Sequence, residues 1–255
     1  MKKNFISLKK YEKKIKLGFF TSKGGVSKGN YFSLNCSKSS GDLINNIKKN
    51  INLSIKNLKI EDKKLKLINQ IHSNKIYDIS KKNFQNRFSG DGLLTKDKDI
   101  ALGVLTADCA PIFLFDKSSN IICCLHAGWK GTLSNIIRQG IKKFKSKNIK
   151  TQDIIAIIGP CLAVKNFEVD TKFKLQFLKK ENLYSNYFKY KNKNKDLFDL
   201  RGLINFQLKN EGVKEIHNIR LDTYKKSRLF FSHRRTVHKG KINTGRMINI
   251  ISFSD

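Results

Sequence analysis

Three residues that commonly bind transition metals stand at the ends of apolar segments. His72 lies between two short apolar runs, Cys109 follows the run that ends at Thr106, and His126 closes the run that begins at Ile121. Two imidazoles and one thiolate make a good zinc-binding set, with the fourth position open to water or substrate. The residue types therefore indicate a metal site at the rim of a sheet.

Two other interpretations fit the same residues. The three positions are spaced far more widely than the ligands of a compact zinc finger, so spacing adds no support for a metal. In one alternative, His126 is a hydrogen-bonded core histidine and Cys109 is a small buried apolar residue. In the other, Cys109 is a nucleophile and His126 is its base, as in a cysteine hydrolase.

The segment AGWKGT, which follows His126, offers groups that bind anions. Gly128 and Gly131 free the backbone, the next helix offers N–H donors at its N-terminus, and Lys130 adds a positive charge. These features predict a phosphate-binding loop without P-loop spacing. The alternative is an ordinary turn from strand to helix, with Thr132 as the helix N-cap.

Several further charged residues are candidates for the site. Asp91 and Asp108 either orient a histidine, bind a ribose hydroxyl or transfer a proton, and Glu168 lies just past the GPC motif. A solvated turn carboxylate is the alternative for each of them. Among the few arginines, Arg246 in TGRM is the first that we would test as a binding residue.

Short strands and amphipathic helices must carry these groups. We predict helices over 42–58, after Thr132, and from Asp199 to a stop at Gly212. The lysine-rich segment 190–196 is predicted to be an exposed loop. The predicted buried strands are Ile100–Thr106, Pro111–Phe115, Ile121–Leu125 and Ile154–Ile158, the second and third forming a hairpin.

The irregular order of strands and helices favours an α+β fold over a regular βαβ repeat. We predict one domain over residues 1–255, a mixed β-sheet sandwich with flanking helices. Residues 1–17 form a basic lead-in to this domain.

The charge of the chain is strongly positive. It has 52 Lys and Arg against 20 Asp and Glu, a formal net charge of +32. Most of these are lysines spread along the chain. Proteins that recognise nucleic acid favour arginine, whose guanidinium donates paired hydrogen bonds, so we predict no specific nucleic-acid partner.

The five cysteines lack the spacing of a disulfide scaffold. Without an apolar signal segment or membrane span, the chain is predicted to be cytoplasmic and to have no membrane partner.

Eight stretches, taken together, resemble the YfiH-like purine nucleoside phosphorylase family, also called the laccase-domain or polyphenol oxidase family. TADCAP followed by HAGWKG is the most specific part of the resemblance. The stretches are FFTSKGGVSKGNYFSLN, QIHS, DGLLT, ALGVLTADCAPIFLFD, CLHAGWKGT, IGPCLAVKNFEV, FDLRGLINFQL and FFSHRR with TGRM. The resemblance implies a single sandwich domain with zinc held by His72, Cys109 and His126.

The resemblance also implies an activity. It is phosphorolysis of adenosine, inosine or methylthioadenosine to the base and ribose 1-phosphate, with adenosine deamination as a side activity. The implied partners are purine nucleosides and inorganic phosphate, and we expect a monomer or weak oligomer. We predict Cys109, His126 and Asp108 to be the catalytic residues. The predicted substrate and phosphate contacts are Lys23, Lys130, Gly131, Asp91, Glu168 and Arg246.

Copper-dependent phenol oxidation is an older attribution of the same family, which makes copper a possible metal. A multicopper site needs many imidazoles, often in HxH pairs, and this chain has five histidines and no such pair. Lys23 and Lys130 stand where the family usually has arginines, so both lose the bidentate fork. Ser73, Asp222 and Phe167 are further departures, and none of the departures removes an implied metal ligand.

Overall fold

The structure, a computed structural model, describes residues 4–118 and 120–254. These residues contain fourteen strands and six α-helices, together with short 3-10 helices. The strands are β1 (Phe5–Ile6), β2 (Ile15–Phe20), β3 (Lys64–Leu67), β4 (Ile76–Ile79), β5 (Gly92–Thr95), β6 (Ile100–Thr106), β7 (Ala110–Asp116), β8 (Ile122–Ala127), β9 (Ile154–Ile158), β10 (Glu168–Asp170), β11 (Phe188–Asn192), β12 (Lys195–Phe198), β13 (Glu215–Asn218) and β14 (Met247–Phe253). The helices are α1 (Ile44–Leu58), α2 (Trp129–Leu133), α3 (Ile136–Lys145), α4 (Thr171–Lys180), α5 (Leu200–Asn210) and α6 (His233–His238).

Two large mixed sheets and one small sheet organise these elements. The five-stranded sheet has the order β1-β2-β14-β6-β3, and the six-stranded sheet has the order β13-β9-β7-β8-β5-β4. Most neighbours are antiparallel, while β3 with β6, β4 with β5 and β13 with β9 are parallel. The small sheet has the order β10-β12-β11. The mixed α+β sandwich predicted from the sequence is therefore confirmed.

Apolar side chains of the two large sheets meet in a shared core. Phe19 on β2 stacks on Phe113 of β7 with ring centroids 4.5 Å apart, and both side chains are fully buried. The outer face of the six-stranded sheet packs against α3 and α5, and that of the five-stranded sheet packs against α1. Burial on both faces explains why β6, β7 and β8 are continuous apolar runs in the sequence.

The predicted strands and the hairpin lie where the sequence indicated. β6 spans the predicted residues, β7 and β8 pair antiparallel, and Asp199 caps α5 by accepting a hydrogen bond from Gly202 N at 2.9 Å. Gly212, with φ of 90°, follows the end of α5 as predicted. The basic lead-in contains β1 and the first residues of β2, while its residues 1–3 lie outside the described residues.

Two local predictions are wrong. Thr132 is not an N-cap, because it lies inside α2 and its hydroxyl donates to the carbonyl of Gly128 at 2.9 Å. The segment 190–196 is not a loop but contributes to the hairpin of β11 and β12. Phe188 and Phe198 are paired in that hairpin and pack on Phe177 of α4, which stabilises strands whose outer positions are lysine and asparagine.

No helix within 4–118 and 120–254 combines the length and the apolar character that crossing a membrane requires.

Candidate metal centre

The strand register brings Cys109 and His126 together at one end of β7 and β8, two neighbouring interior strands of the six-stranded sheet. Ala110, which follows Cys109, pairs with Ala127, and Pro111 pairs with His126. His72 arrives on the loop between β3 and β4, and its ring centroid lies 4.9 Å from that of His126. Residues that are far apart in the sequence therefore meet at one place.

The three side chains form a group that can hold a metal ion. One ligand atom each from His72, Cys109 and His126 lies within 4.8 Å of the others. In a tetrahedral site with ~2.3 Å bonds to sulfur and ~2.1 Å bonds to nitrogen, the ligand atoms lie ~3.4–3.6 Å apart, so metal binding would bring the most widely spaced atoms up to about 1 Å closer together. His72 is exposed, Cys109 is partly exposed and His126 is buried, so the group opens to solvent on one side.

Gly128 forms the wall of this group. A Cβ atom at position 128 would lie 2.8 Å from Cys109 Sγ and 2.9 Å from His72 Nδ1, closer than real contacts allow. The backbone of Gly128, with φ of −79° and ψ of 175°, is in a region open to any residue. The glycine is therefore required for the space beside the sulfur and the imidazole, and not for its backbone freedom.

Replacing Gly128 by alanine is expected to lower the affinity for zinc at least ~10-fold, because the added methyl group displaces two proposed ligands. Competition with a chromophoric chelator measures the affinity of the metal-free protein. Gly140→Ala is the matched control, since Gly140 is a buried glycine on α3 whose added methyl group would meet only side-chain carbons, the nearest at 3.1 Å. Equal zinc affinity of the Gly128 variant and the wild type would contradict the assignment.

Asp91 is the buried partner of His126. Its side chain is 0% exposed, and its Oδ1 lies 2.8 Å from His126 Nδ1, which leaves Nε2 of that imidazole for a metal. The same carboxylate accepts hydrogen bonds from His72 N at 3.0 Å and Ser73 Oγ at 2.8 Å. Of the three roles considered for Asp91, orienting a histidine is the one that its contacts support.

The charges around His126 favour a strongly basic imidazole. Burial lowers the pKa of His126, but the charge of Cys109 and the hydrogen bond to Asp91 outweigh it and raise the pKa to about 9. Burial likewise raises the pKa of Asp91, but the hydrogen bonds from His126 and Ser73 hold it below its ordinary value. Without a metal, the pair is thus an ionised carboxylate facing a protonated imidazole at neutral pH, and a metal binding at Nε2 would displace a proton from that ring.

Arg246 lies close to the metal group and has no acidic partner within the part of the chain that the structure describes. Burial lowers its pKa, and the charge of Cys109 acts in the opposite direction. Its Nη1 donates to Ser37 Oγ at 2.9 Å and Ser39 Oγ at 3.2 Å, and it forms no salt bridge with a carboxylate of residues 4–118 or 120–254. A half-buried guanidinium without a counter-ion favours the binding of an anion.

A polar network links helix α1 to the segment 33–35 and to the backbone of Arg246. Asn50 of α1 is 0% exposed and donates to the carbonyls of Ser33 at 3.2 Å and Asn35 at 2.7 Å. Asn35 Oδ1 in turn accepts from Arg246 N at 3.0 Å. Lys23 itself is exposed. Sequence reasoning missed Asn35 and Asn50, because asparagine is abundant along this chain.

The AGWKGT segment forms a turn and the short helix α2. Lys130 is exposed, with Nζ 5.5 Å from the centre of the Trp129 ring. Gly131 is buried, and a Cβ there would lie 3.1 Å from the carbonyl oxygen of Ser73. Because α2 has only five residues, its dipole contributes little to anion binding. Lys130 and Gly131 remain predicted phosphate contacts.

Asp108 and Glu168 are occupied by other contacts. Asp108 is buried, and its carboxylate accepts from Thr223 Oγ1 at 2.6 Å and Ser232 Oγ at 2.9 Å. Glu168 on β10 is paired with Lys191 and Lys195, whose hydrogen bonds lower its pKa to about 2. Glu168 is therefore ionised at neutral pH and has no proton to donate.

The sequence was compared with known protein families. Residues 16–254 match the sequence model of the family described as multi-copper polyphenol oxidoreductase laccase. The chain belongs to this family. The match covers the three residues of the metal group, Asp91 and Arg246.

Relatives in this family carry the name purine nucleoside phosphorylase. One from Rickettsia conorii is 36% identical over 173 residues, covering 68% of this chain and 71% of the relative. Another, from Clostridium acetobutylicum, is 32% identical over 254 residues, covering 98% of this chain and 96% of the relative. These names support an enzymatic function. The two relatives match 68% and 98% of this chain.

Solved structures of the family share the fold. A Neisseria meningitidis protein of family DUF152 superimposes with a TM-score of 0.90 at 26% identity, covering 99% of this chain and 100% of that one. Bacillus licheniformis YfiH superimposes with a TM-score of 0.89 at 24% identity, covering 99% of this chain and 97% of that one. The resemblance read from the sequence is therefore confirmed.

The family description mentions several coppers, but the described residues form a single candidate group. Across 4–118 and 120–254, only His72, Cys109 and His126 come together as three or more possible ligands. His217 is engaged with Tyr11 at 2.7 Å, and His238 with Tyr224 at 3.0 Å. The donor set fits one ion of zinc or copper.

Proposed function

We propose that this chain is a zinc-dependent purine nucleoside phosphorylase with adenosine deamination as a side activity. The observation that carries the proposal is Arg246, a half-buried cation beside the group of His72, Cys109 and His126 that has no carboxylate partner among the described residues. A metal group alone is common to many hydrolases, whereas an adjacent unpaired guanidinium indicates an anionic substrate. Inorganic phosphate is the anion that phosphorolysis consumes.

The residues of the site have distinct tasks in this reaction. A phosphate oxygen bonds to the anomeric carbon of the ribose while the glycosidic C–N bond breaks, and its electron pair leaves with the purine. Arg246 holds and orients the phosphate, Lys130 adds positive charge beside His72, and Lys23 is a further proposed phosphate contact. Asp91 fixes the ring of His126. Zinc, when bound by the three side chains, supplies a Lewis acid.

The assay is direct. With zinc, adenosine and phosphate, we expect adenine and ribose 1-phosphate in equal amounts, no adenine without phosphate, and loss of activity on chelation that zinc restores. Inosine formed without phosphate reports deamination. Adenine release that does not require phosphate, or activity that is unchanged after complete metal removal, would refute the phosphorylase proposal.

Arg246→Lys separates binding of phosphate from the remaining chemistry. Lysine keeps the positive charge but cannot donate two parallel hydrogen bonds to phosphate as a guanidinium can. The KM for phosphate is therefore expected to rise about 10-fold or more, while the affinity for zinc is unchanged. Arg138→Lys, on an exposed position of α3, is the matched control.

A further inference from the structure

A second buried aspartate supports the turn that carries Cys109. We propose that Asp108 is a positioning residue, whose carboxylate ties this turn to the distant segment 232–234 and so fixes Cys109 opposite the two histidines. The inference rests on the metal site of the proposed function, and not on the nucleoside chemistry. It replaces the catalytic role that the residue type and the resemblance suggested for Asp108.

The contacts of Asp108 leave its carboxylate fully engaged. Oδ1 accepts from Thr223 Oγ1 at 2.6 Å, while Oδ2 accepts from Ser232 Oγ at 2.9 Å and from Arg234 N at 2.7 Å. Its backbone carbonyl accepts from Leu162 N at 2.9 Å. Asp108 as a residue is 8% exposed, and both of its carboxylate oxygens accept hydrogen bonds from groups of the protein.

The backbone of Asp108 explains why such support is needed. Its φ of 88° lies in a region that non-glycine residues rarely adopt, and a strained turn persists only when surrounding contacts hold it. His72 has a φ of 59°, and the N–H groups around it donate to Asp91. Two of the three proposed ligands therefore lie on or beside strained turns, each held by its own buried aspartate.

The segment 232–234, to which Asp108 is hydrogen-bonded, makes further contacts of its own. Ser232 caps α6 by accepting from Arg235 N at 3.1 Å while donating to Asp108. Arg234 extends to the carbonyl of Glu168 at 2.7 Å, and its guanidinium lies 5.4 Å from the centre of the Phe167 ring. Loss of the Asp108 carboxylate would thus release this segment together with Cys109.

Three substitutions of Asp108 separate hydrogen bonding, charge and backbone strain. Asparagine tolerates positive φ, keeps one oxygen for Ser232 and Arg234, and offers an N–H to the Thr223 hydroxyl. Asp108→Asn is therefore expected to bind zinc within about 3-fold of the wild type. Asp108→Ala and Asp108→Gly lose all three bonds, and glycine does so without strain, so both are expected to lose ~10–100-fold in zinc affinity.

The measurement is competition for zinc between the metal-free protein and a chromophoric chelator, which needs no nucleoside. Asp116→Ala is the matched control, because Asp116 is a buried aspartate at the other end of β7 that accepts from two backbone N–H groups. Wild-type zinc affinity in Asp108→Gly would overturn the proposal. So would an Asp108→Asn variant that binds zinc normally but loses turnover at least about 100-fold, since that result would indicate proton transfer. If Asp108→Ala does not fold, Thr223→Val tests the same contact, with a smaller expected loss.

Discussion

His72→Ala is expected to lose at least about 1000-fold in kcat/KM for phosphorolysis together with its bound zinc. The Lewis acid contributes several kcal/mol of transition-state stabilisation, and each 1.36 kcal/mol is a factor of ten in rate. His72 is exposed, so the fold should be unaffected. Metal analysis of the purified variant and initial rates with adenosine and phosphate measure the two effects.

This substitution discriminates between the metal site and a cysteine hydrolase. A Cys109–His126 nucleophilic pair does not need His72, so full activity in His72→Ala, combined with inactivation by thiol alkylation and indifference to chelation, would favour the hydrolase. His238→Ala is the matched control, because His238 is also exposed but lies on α6, where it contacts Tyr224. It is expected to behave as wild type in both measurements.

Asp91→Asn should weaken both zinc binding and the fold. The amide presents an N–H where the carboxylate now accepts from His126 or from the backbone of the 71–73 loop, so buried donors lose their partner. We expect a 10–100-fold loss of zinc affinity and a destabilisation of about 3 kcal/mol in the metal-free protein. Chelator competition and urea unfolding report these quantities separately.

Asp97→Asn provides the comparison for Asp91. Asp97 accepts a backbone hydrogen bond from Lys81 at 2.7 Å but lies in a partly exposed loop beyond β5. It is expected to change the unfolding free energy by less than about 1 kcal/mol and zinc affinity not at all. If Asp91→Asn changed the unfolding free energy and the zinc affinity as little as Asp97→Asn does, the position of His126 would not depend on the Asp91 carboxylate.

The sequence predicted the parts of the site that lie on strongly apolar strands. β6, β7 and β8 are buried on both faces, so their ends were visible as the ends of apolar runs, and Cys109 and His126 follow from them. The pairing of Pro111 with His126 then places the Cys109 and His126 side chains at the same end of β7 and β8. His72 could be proposed as a partner only by its type and by the resemblance, since its loop carries no periodic signal.

Other features depend on contacts that local patterns do not contain. Asp108 meets Ser232 across more than a hundred residues, and no spacing rule connects them. Gly128 matters because of the atoms beside it, which only the three-dimensional arrangement reveals. The hairpin of β11 and β12 is not evident from the sequence because lysine and asparagine dominate its outer face, while the packing of Phe188 and Phe198 on Phe177 of α4 that stabilises it is a tertiary contact.

The position of β14 has a consequence for synthesis of the protein. This last strand lies inside the five-stranded sheet, between β2 and β6, and directly follows Arg246. Because β2 and β6 are both synthesised before β14, their facing edges have no partner in this sheet until β14 has left the ribosome. Completion of the sheet and placement of Arg246, the residue that precedes β14, are therefore coupled, and a chain interrupted before Arg246 would have neither.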